Sequence, residues 1–474
     1  MAHPETPGSP LADLGSRTVS RRDVLKGMAG VAGVAAVPAL LAACSSAATP
    51  SPAASAAPPA SQAPASAGAS AAGSAATGSL TLGSYHTDTQ GEKDGMTAVN
   101  TAFTAATGIT IKYNLVDHTT FQNQITTYLG GTPDDAFTWF SGYRMRFFAA
   151  QGLATAIDDV WAAVDSNFTA GFKAASTGDD GKIYLIPTDY YPWAVFYRKS
   201  VFADKGYTIP TTWDQLKALC VQMQKDGLIP FAFADVEGWP AMGTFDILNL
   251  RLNGYQFHVD LMAGKAKWAD PKVTTVFQTW AEILPYHQDA ATGRKWVDAA
   301  AALQQKKAGM YLLGLFVGGA FTNPADLADL DFFPYPYFGN QYDAEKALDA
   351  PIDGYMISAK SPNLTADLDA AKAYLSFWAK GSTQSLFLKS AVGNLAVAKD
   401  ADVSAYSPLQ TKAVQVVSDA QKITQFLDRD TRPDFAGPNG MQGFLLSYLK
   451  DPKQDLAKLQ SQIQAFWDGL PPTG

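Results

Sequence analysis

The sequence predicts an α/β protein built in two lobes, carried behind an export leader and a low-complexity tether. Two observations predict the fold class. Strand-like alternation and helix-like spacing of apolar residues take turns along the chain, with no internal repeat. About 395 of the 474 residues lie beyond the low-complexity stretch, more than one hydrophobic core usually organises.

Residues 1–43 read as a leader. The first nineteen are polar and show no apolar periodicity. Ser20-Arg21-Arg22-Asp23-Val24-Leu25-Lys26 then has the form of a twin-arginine export signal built on Arg21 and Arg22, with Val24 where an aromatic is usual. Residues 27–41 are small and apolar but shorter than the roughly 20 residues a membrane-spanning helix needs, as in a signal h-region. Leu41-Ala42-Ala43-Cys44 resembles the lipobox of bacterial lipoproteins, which implies cleavage before Cys44 and acylation of that cysteine. The expected location is the outer face of the cytoplasmic membrane. Twin-arginine export generally carries folded chains, yet no sequence feature identifies a cofactor that requires folding inside.

Residues 44–79 read as a disordered tether. From 45 onward they are almost entirely Ser, Ala, Pro, Gly and Thr, and the first charged residue after Cys44 is Asp88. Such a composition buries too little apolar surface to offset its ordering entropy, and a flexible chain of this length reaches about 30–35 Å.

In the remainder, Leu80, Leu82 and Tyr85 alternate as a strand. Met96, Val99 and Phe103 follow at helical spacing up to Gly108. Ile109, Ile111, Tyr113 and Leu115 alternate again, so the second strand is expected parallel to the first. A helix through Phe121, Ile125 and Leu129 leads by Gly130-Gly131-Thr132-Pro133 into a short apolar strand at 136–140. Residues 182–187 and 194–197 read as extended. Thr212 and Gln215 form a capping box for the next helix, on which Trp213, Leu216, Cys220 and Met223 share a face, so Cys220 reads as a core thiol. Helices at 273–284 and 299–307, strands at 309–313 and 352–359, and helices at 370–378 and 456–466 complete the order.

Removing the leader deletes four basic residues (Arg17, Arg21, Arg22, Lys26) and three acidic ones (Glu5, Asp13, Asp23), so the net charge of −8 becomes about −9. That balance argues against nucleic acid, which requires a basic footprint. The five histidines (His3, His86, His118, His258, His287) are scattered, and no metal or other cofactor is expected. Adjacent Tyr190 and Tyr191 alone do not make an iron site. No G-x-S-x-G, H-E-x-x-H or C-x-x-C motif occurs, so an enzyme is not expected.

Four passages, in order, resemble the extracellular solute-binding proteins of ABC importers, in the large sugar-serving, maltose-binding-protein-like group. They are Gly131-Thr132-Pro133-Asp134; residues 181–187 with Phe196-Tyr197-Arg198-Lys199 and Thr212-Trp213-Asp214; residues 305–312; and Gly354-Tyr355-Met356-Ile357-Ser358. The resemblance implies a two-lobed periplasmic-binding-protein type II (Venus flytrap) fold, a mostly parallel sheet in each lobe, and a ligand cleft between them. It places lobe I at 80–189 plus 350–411 and lobe II at 190–349 plus 412–474. It also implies a monomer, a small-molecule cargo that is a mono- or oligosaccharide, and ABC importer permease subunits as partners. A tethered carbohydrate hydrolase, or a receptor for a polyol, glycerol phosphate or polyamine, stands as the alternative.

Ligands of open α/β sheets sit beyond strand carboxyl ends, and aromatic faces suit pyranose C–H groups while carboxylates and hydroxyls bind sugar OH groups. The candidate contacts are therefore Tyr85, His86 and Asp88 after the first strand; Trp139, Ser141 and Tyr143 at the end of the third; and Asp189, Tyr191 and Trp193 at the first crossing. In the second lobe they are Trp239 and Phe316, with Asp353 on the returning strand. Trp139 and its neighbour Phe140 suit a core equally well. Trp193→Ala is expected to weaken ligand binding while leaving the melting temperature unchanged.

Overall fold

The chain is described here from a computed structural model, which covers residues 78–472. The leader with Arg21 and Arg22, the lipid-acceptor Cys44 and residues 45–77 lie outside the described residues. Among those described, no helix is long and apolar enough to cross a membrane.

The strands follow in chain order as β1 (Ser79–Ser84), β2 (Thr110–Leu115), β3 (Ala136–Phe140), β4 (Ala154–Thr155), β5 (Ile186–Tyr190), β6 (Trp193–Arg198), β7 (Ile229–Ala232), β8 (Ala308–Gly314), β9 (Leu330–Phe333), β10 (Leu348–Asp349), β11 (Ile352–Ser358), β12 (Leu395–Ala396) and β13 (Ile423–Thr424). The helices that position the site are α1 (Gln90–Thr107), α2 (His118–Gly130), α3 (Trp213–Lys225), α4 (Pro240–Met262), α5 (Trp296–Gln304), α6 (Leu364–Trp378), α7 (Leu427–Asp430), α8 (Met441–Lys450) and α9 (Leu456–Asp468).

The first lobe opens as its apolar spacing predicts. β1 and β2 pair in parallel. Between them α1 starts on a capping box, Thr89 N–H donating to the Glu92 carboxylate at 3.0 Å and Glu92 N–H to the Thr89 hydroxyl at 3.3 Å. The helix stops at Gly108, whose φ of +77° suits a residue without Cβ. The sheet runs β12-β5-β11-β3-β1-β2, with β4 also on β11. One face packs Leu80, Leu82 and Phe103 against α6; the other packs Phe121, Phe137 and Trp139.

The second lobe carries the sheet β7-β8-β6-β9, and β10 with β13 forms a separate parallel pair. The capping box at Thr212 starts α3, which buries Cys220 beside Trp213, Leu216 and Met223. α8 and α9 pack on this lobe through Tyr448, Leu459 and Ile463.

Neither sheet is mostly parallel, which corrects that expectation. In the first, β1 is parallel to β2 and β3, but β11 runs against β3, β4 and β5, and β12 against β5. In the second, only β7 and β8 are parallel, and β6 opposes both β8 and β9. The cause is the connectivity. β1, β3 and β5 deliver the chain to the cleft, whereas β6 and β11 enter from the other lobe at the cleft end and must run away from it.

Candidate ligand-binding site

The turns at the cleft ends of these strands enclose one pocket with about 740 Å³ of empty space, counted to its open mouth. One wall is aromatic. Phe316, just after β8, sits edge-on to Tyr191 at 5.0 Å, Trp296 at 5.1 Å and Trp239 at 5.8 Å between ring centroids. Trp193 stacks on Phe426 at 4.9 Å. Gly314 and Gly243 permit this packing, since a Cβ on either would lie 2.3 Å from the Phe316 or Trp193 ring.

The opposite wall is charged and comes from the first lobe and the C-terminal segment. Arg429 donates to Asp353 at 2.7 Å, with its guanidinium 3.8 Å above the Phe140 ring. Burial pushes the Asp353 carboxyl up, and the Arg429 charge opposes that rise. Asp88 lies between His118 Nδ1 at 3.3 Å and the Trp296 indole N–H, which donates to it at 3.1 Å. Burial alone would raise the Asp88 pKa, but these two hydrogen bonds hold it below its ordinary value. Burial likewise pulls His118 down, and Asp88 outweighs it, so the imidazole titrates above its usual range.

Around the pocket, the Tyr85 hydroxyl and Trp193 Nε1 have no hydrogen-bond partner among the described residues, while Asp428 Oδ1 and Arg429 Nε, also without a hydrogen bond, face each other as an ion pair at 3.7 Å. All four belong to residues lining the pocket. A buried group left unpaired costs about 1–3 kcal/mol, so the Tyr85 hydroxyl and the Trp193 indole leave hydrogen-bonding capacity unused at the pocket.

Seven of the residues singled out from the sequence line this pocket: Tyr85, Asp88, Tyr191, Trp193, Trp239, Phe316 and Asp353. Five do not. Trp139 is fully buried in the core against Phe121, Phe140 and Phe148, because its strand is covered on both faces. Ser141 donates to Gln425 at 3.0 Å, tying β3 to the C-terminal segment. Tyr143 begins the helix Tyr143–Ala150, outside the pocket lining. His86 is buried behind the wall, 3.9 Å from the Glu92 carboxylate. Asp189 accepts from Thr188 at 2.8 Å and from the Asn394 amide, so it supports a lining residue. Burial and then the nearby Asp353 push Asp189 up to about 7.

No local pattern marks several of the lining residues. Trp296 opens α5 just after Arg294-Lys295. Arg429 and Asp428 lie in a run of alternating charges far along the chain. Glu92 lies in the first turn of α1, where its role in the capping box emerges only from the structure, and Asn394 follows a glycine in a loop. Their approach to the pocket depends on chain crossings that no local pattern reveals. Conversely, the structure brings the supposedly scattered His258 against Asp246 and Asp349.

The family model for bacterial extracellular solute-binding protein matches residues 87–382, more than half of the chain. Among solved structures, the chain is similar to the bacterial solute receptor AcbH, with 42% identity and a TM-score of 0.79 over 83% of this chain and 99% of the receptor. It is 25% identical to the uncharacterised ABC transporter extracellular-binding protein PH1214 of Pyrococcus horikoshii, over 62% of this chain and 65% of that protein. It is 26% identical to the alpha-glucosides-binding periplasmic protein AglE of Rhizobium meliloti, over 58% of this chain and 63% of that protein. The chain thus spans a little under two thirds of these two relatives. With the matched family model and the two-lobed α/β architecture together, the chain belongs to the bacterial extracellular solute-binding proteins, a family that works outside the cytoplasm.

Proposed function

We propose that this protein captures a carbohydrate in the cleft and delivers it to an ABC importer, without chemical conversion. The observation that carries the reading is the pairing of an aromatic wall, Trp193, Trp239, Trp296 and Phe316, with facing carboxylates, the Arg429 guanidinium and the unpartnered Tyr85 hydroxyl and Trp193 indole N–H. Pyranose rings present C–H faces to the first and hydroxyls to the second. The ligand contacts are Tyr85, Asp88, Tyr191, Trp193, Trp239, Phe316 and Asp353, joined by Trp296, Asn394 and Arg429. His86, Asp189 and Ser141 hold those contacts from behind.

The cargo is a single pyranose. The lobes already touch at three points around the pocket: Trp296 donates to Asp88, a Cβ on Gly319 would meet Thr89 at 3.1 Å, and a Cβ on Gly393 would meet the Phe316 backbone at 2.4 Å. An oligosaccharide would have to break one of these rims. The 42% identical receptor is described as having an exclusive preference for β-D-galactopyranose, so galactose is the first sugar to test, beside glucose, xylose and maltose.

The lobes divide as 80–189 plus 350–411 and 190–349 plus 412–474, closing as a hinge about the crossing segments. A monomer fits this action. Lipid on Cys44 keeps the receptor beside its permease, after export directed by Arg21 and Arg22. Calorimetric titration tests the cargo: saturable binding with the sugar recovered unchanged supports the reading, and turnover of any sugar refutes it. Release of a Cys44→Ser chain into the medium tests the anchor.

A further inference from the structure

A second group of ligating side chains lies behind the cleft, in the seam where the chain returns between lobes. Asp246 and His258 stand on α4, Asp349 ends β10, and all three are fully buried. One donor atom from each lies within 4.8 Å of the others. Each carboxylate uses only one oxygen: Asp246 Oδ2 accepts from the Leu427 N–H, and Asp349 Oδ1 from the Thr424 hydroxyl. Asp246 Oδ1, Asp349 Oδ2 and His258 Nε2 have no hydrogen-bond partner among the described residues. Asp246 turns that unpaired Oδ1 toward the imidazole, 4.0 Å from Nδ1. Arg251, on the same helix, donates Nε and Nη1 to the carbonyls of Tyr335 and Ala347, and its charge reaches Asp349 without a hydrogen bond to it. Buried carboxylates are ordinarily paired with a cation or bound to a metal, because an isolated one is expensive.

We propose that Asp246, His258 and Asp349 bind one divalent cation of the zinc or manganese type. Two carboxylates neutralise its charge, and an imidazole among the donors favours these ions over calcium, which takes six to eight oxygens. His258 ligates through Nε2, or through Nδ1 in exchange for the Asn249 amide now 3.2 Å away. Bonds of about 2.0–2.2 Å place donor atoms roughly 3–3.5 Å apart, so binding draws the side chains inward by about an ångström. The cation joins three parts of the fold: α4 of the second lobe, the returning strand β10, and, through Leu427 and Thr424, the segment that presents Phe426 and Arg429 to the cleft. It is a structural site, independent of which solute the cleft takes.

Because the site is sealed, loading is tested through refolding. The mature chain is unfolded in guanidinium with EDTA, then refolded with ZnCl2, MnCl2, CaCl2 or no metal. Bound metal is read by mass spectrometry and stability by thermal melting. About one equivalent of zinc or manganese per chain is expected, with a melting temperature several degrees above the metal-free chain and no effect of calcium. Asp349→Asn and His258→Gln should each lower metal content about tenfold, and Cys220→Ala should leave it unchanged. Wild-type chain that refolds without taking up either ion, or that takes it up equally in both ligand variants, overturns the proposal. If the variants do not fold, the wild-type titration decides alone.

Discussion

At the scale of single residues, Trp193 shows how a side chain serves core and site together. Its position after a crossing makes it legible as a ligand contact, but the sequence does not show that it stacks on Phe426 and leans on Gly243. The expected neutrality of Trp193→Ala toward stability is therefore revised. Truncating so buried a ring should cost about 3–5 kcal/mol and lower the melting temperature along with affinity. Trp296→Phe is the cleaner probe: it keeps a ring in the wall and removes the N–H given to Asp88. A loss of affinity of roughly 3- to 10-fold, measured by calorimetry, is expected from one hydrogen bond. The Asp88–His118 pair also sets a pH dependence. Asp88 titrates low, so its contribution is present above about pH 4 and lost below. His118 titrates high, so its contribution is present below about pH 6.5 and lost as pH rises through its raised value. The melting temperature should fall as pH rises above about 6.5, the ordinary imidazole value, and the fall should be shallower in His118→Gln. His86, held up by Glu92 against its burial, adds to the same slope, so the His86→Gln/His118→Gln chain should be flatter still.

At the scale of elements, legibility followed one-sided burial. The opening strand–helix–strand unit, α3 with its capping box and the final helix α9 each bury one face, and each left a period in the sequence. α4 left none. Most of its side chains from Pro240 to Gly254 are buried, so no apolar stripe stands out over 23 residues, and the pattern resembles the turn-rich stretch before it. β7 and β9, four residues each, are too short for alternation to register. α4 is also broken internally at Gly254, where φ is +80° and a Cβ would lie 2.3 Å from the Tyr342 ring. Gly254→Ala therefore meets both backbone strain and a clash. A loss of about 2 kcal/mol or more in chemical denaturation is expected, whereas Gly206→Ala, at a positive φ but in open space, should cost about 1.

At the scale of the whole molecule, the chain passes between the sheets after β5, after β9 and again after β12. These passages explain why site residues from distant parts of the chain converge, and why Arg429 and Trp296 escaped a local reading. The Asp88–Trp296 hydrogen bond spans the pocket between the two sheets, and the proposed closure would rest on it in part. One such bond, worth about 1 kcal/mol, shifts a closed-to-open ratio about fivefold. Asp88→Ala should enlarge the radius of gyration of the unliganded protein in small-angle scattering, and saturating sugar should narrow the difference. An identical radius in both chains would show that this contact does not hold the cleft.

The depth of the Asp246–His258–Asp349 seam bears on the history of the molecule as much as on its stability. All three side chains are fully buried, so an ion held there would be taken up most readily while the chain folds or where it locally opens. A twin-arginine leader, which hands over chains already folded, would let the cytoplasm choose that ion before the protein meets whatever metals lie outside.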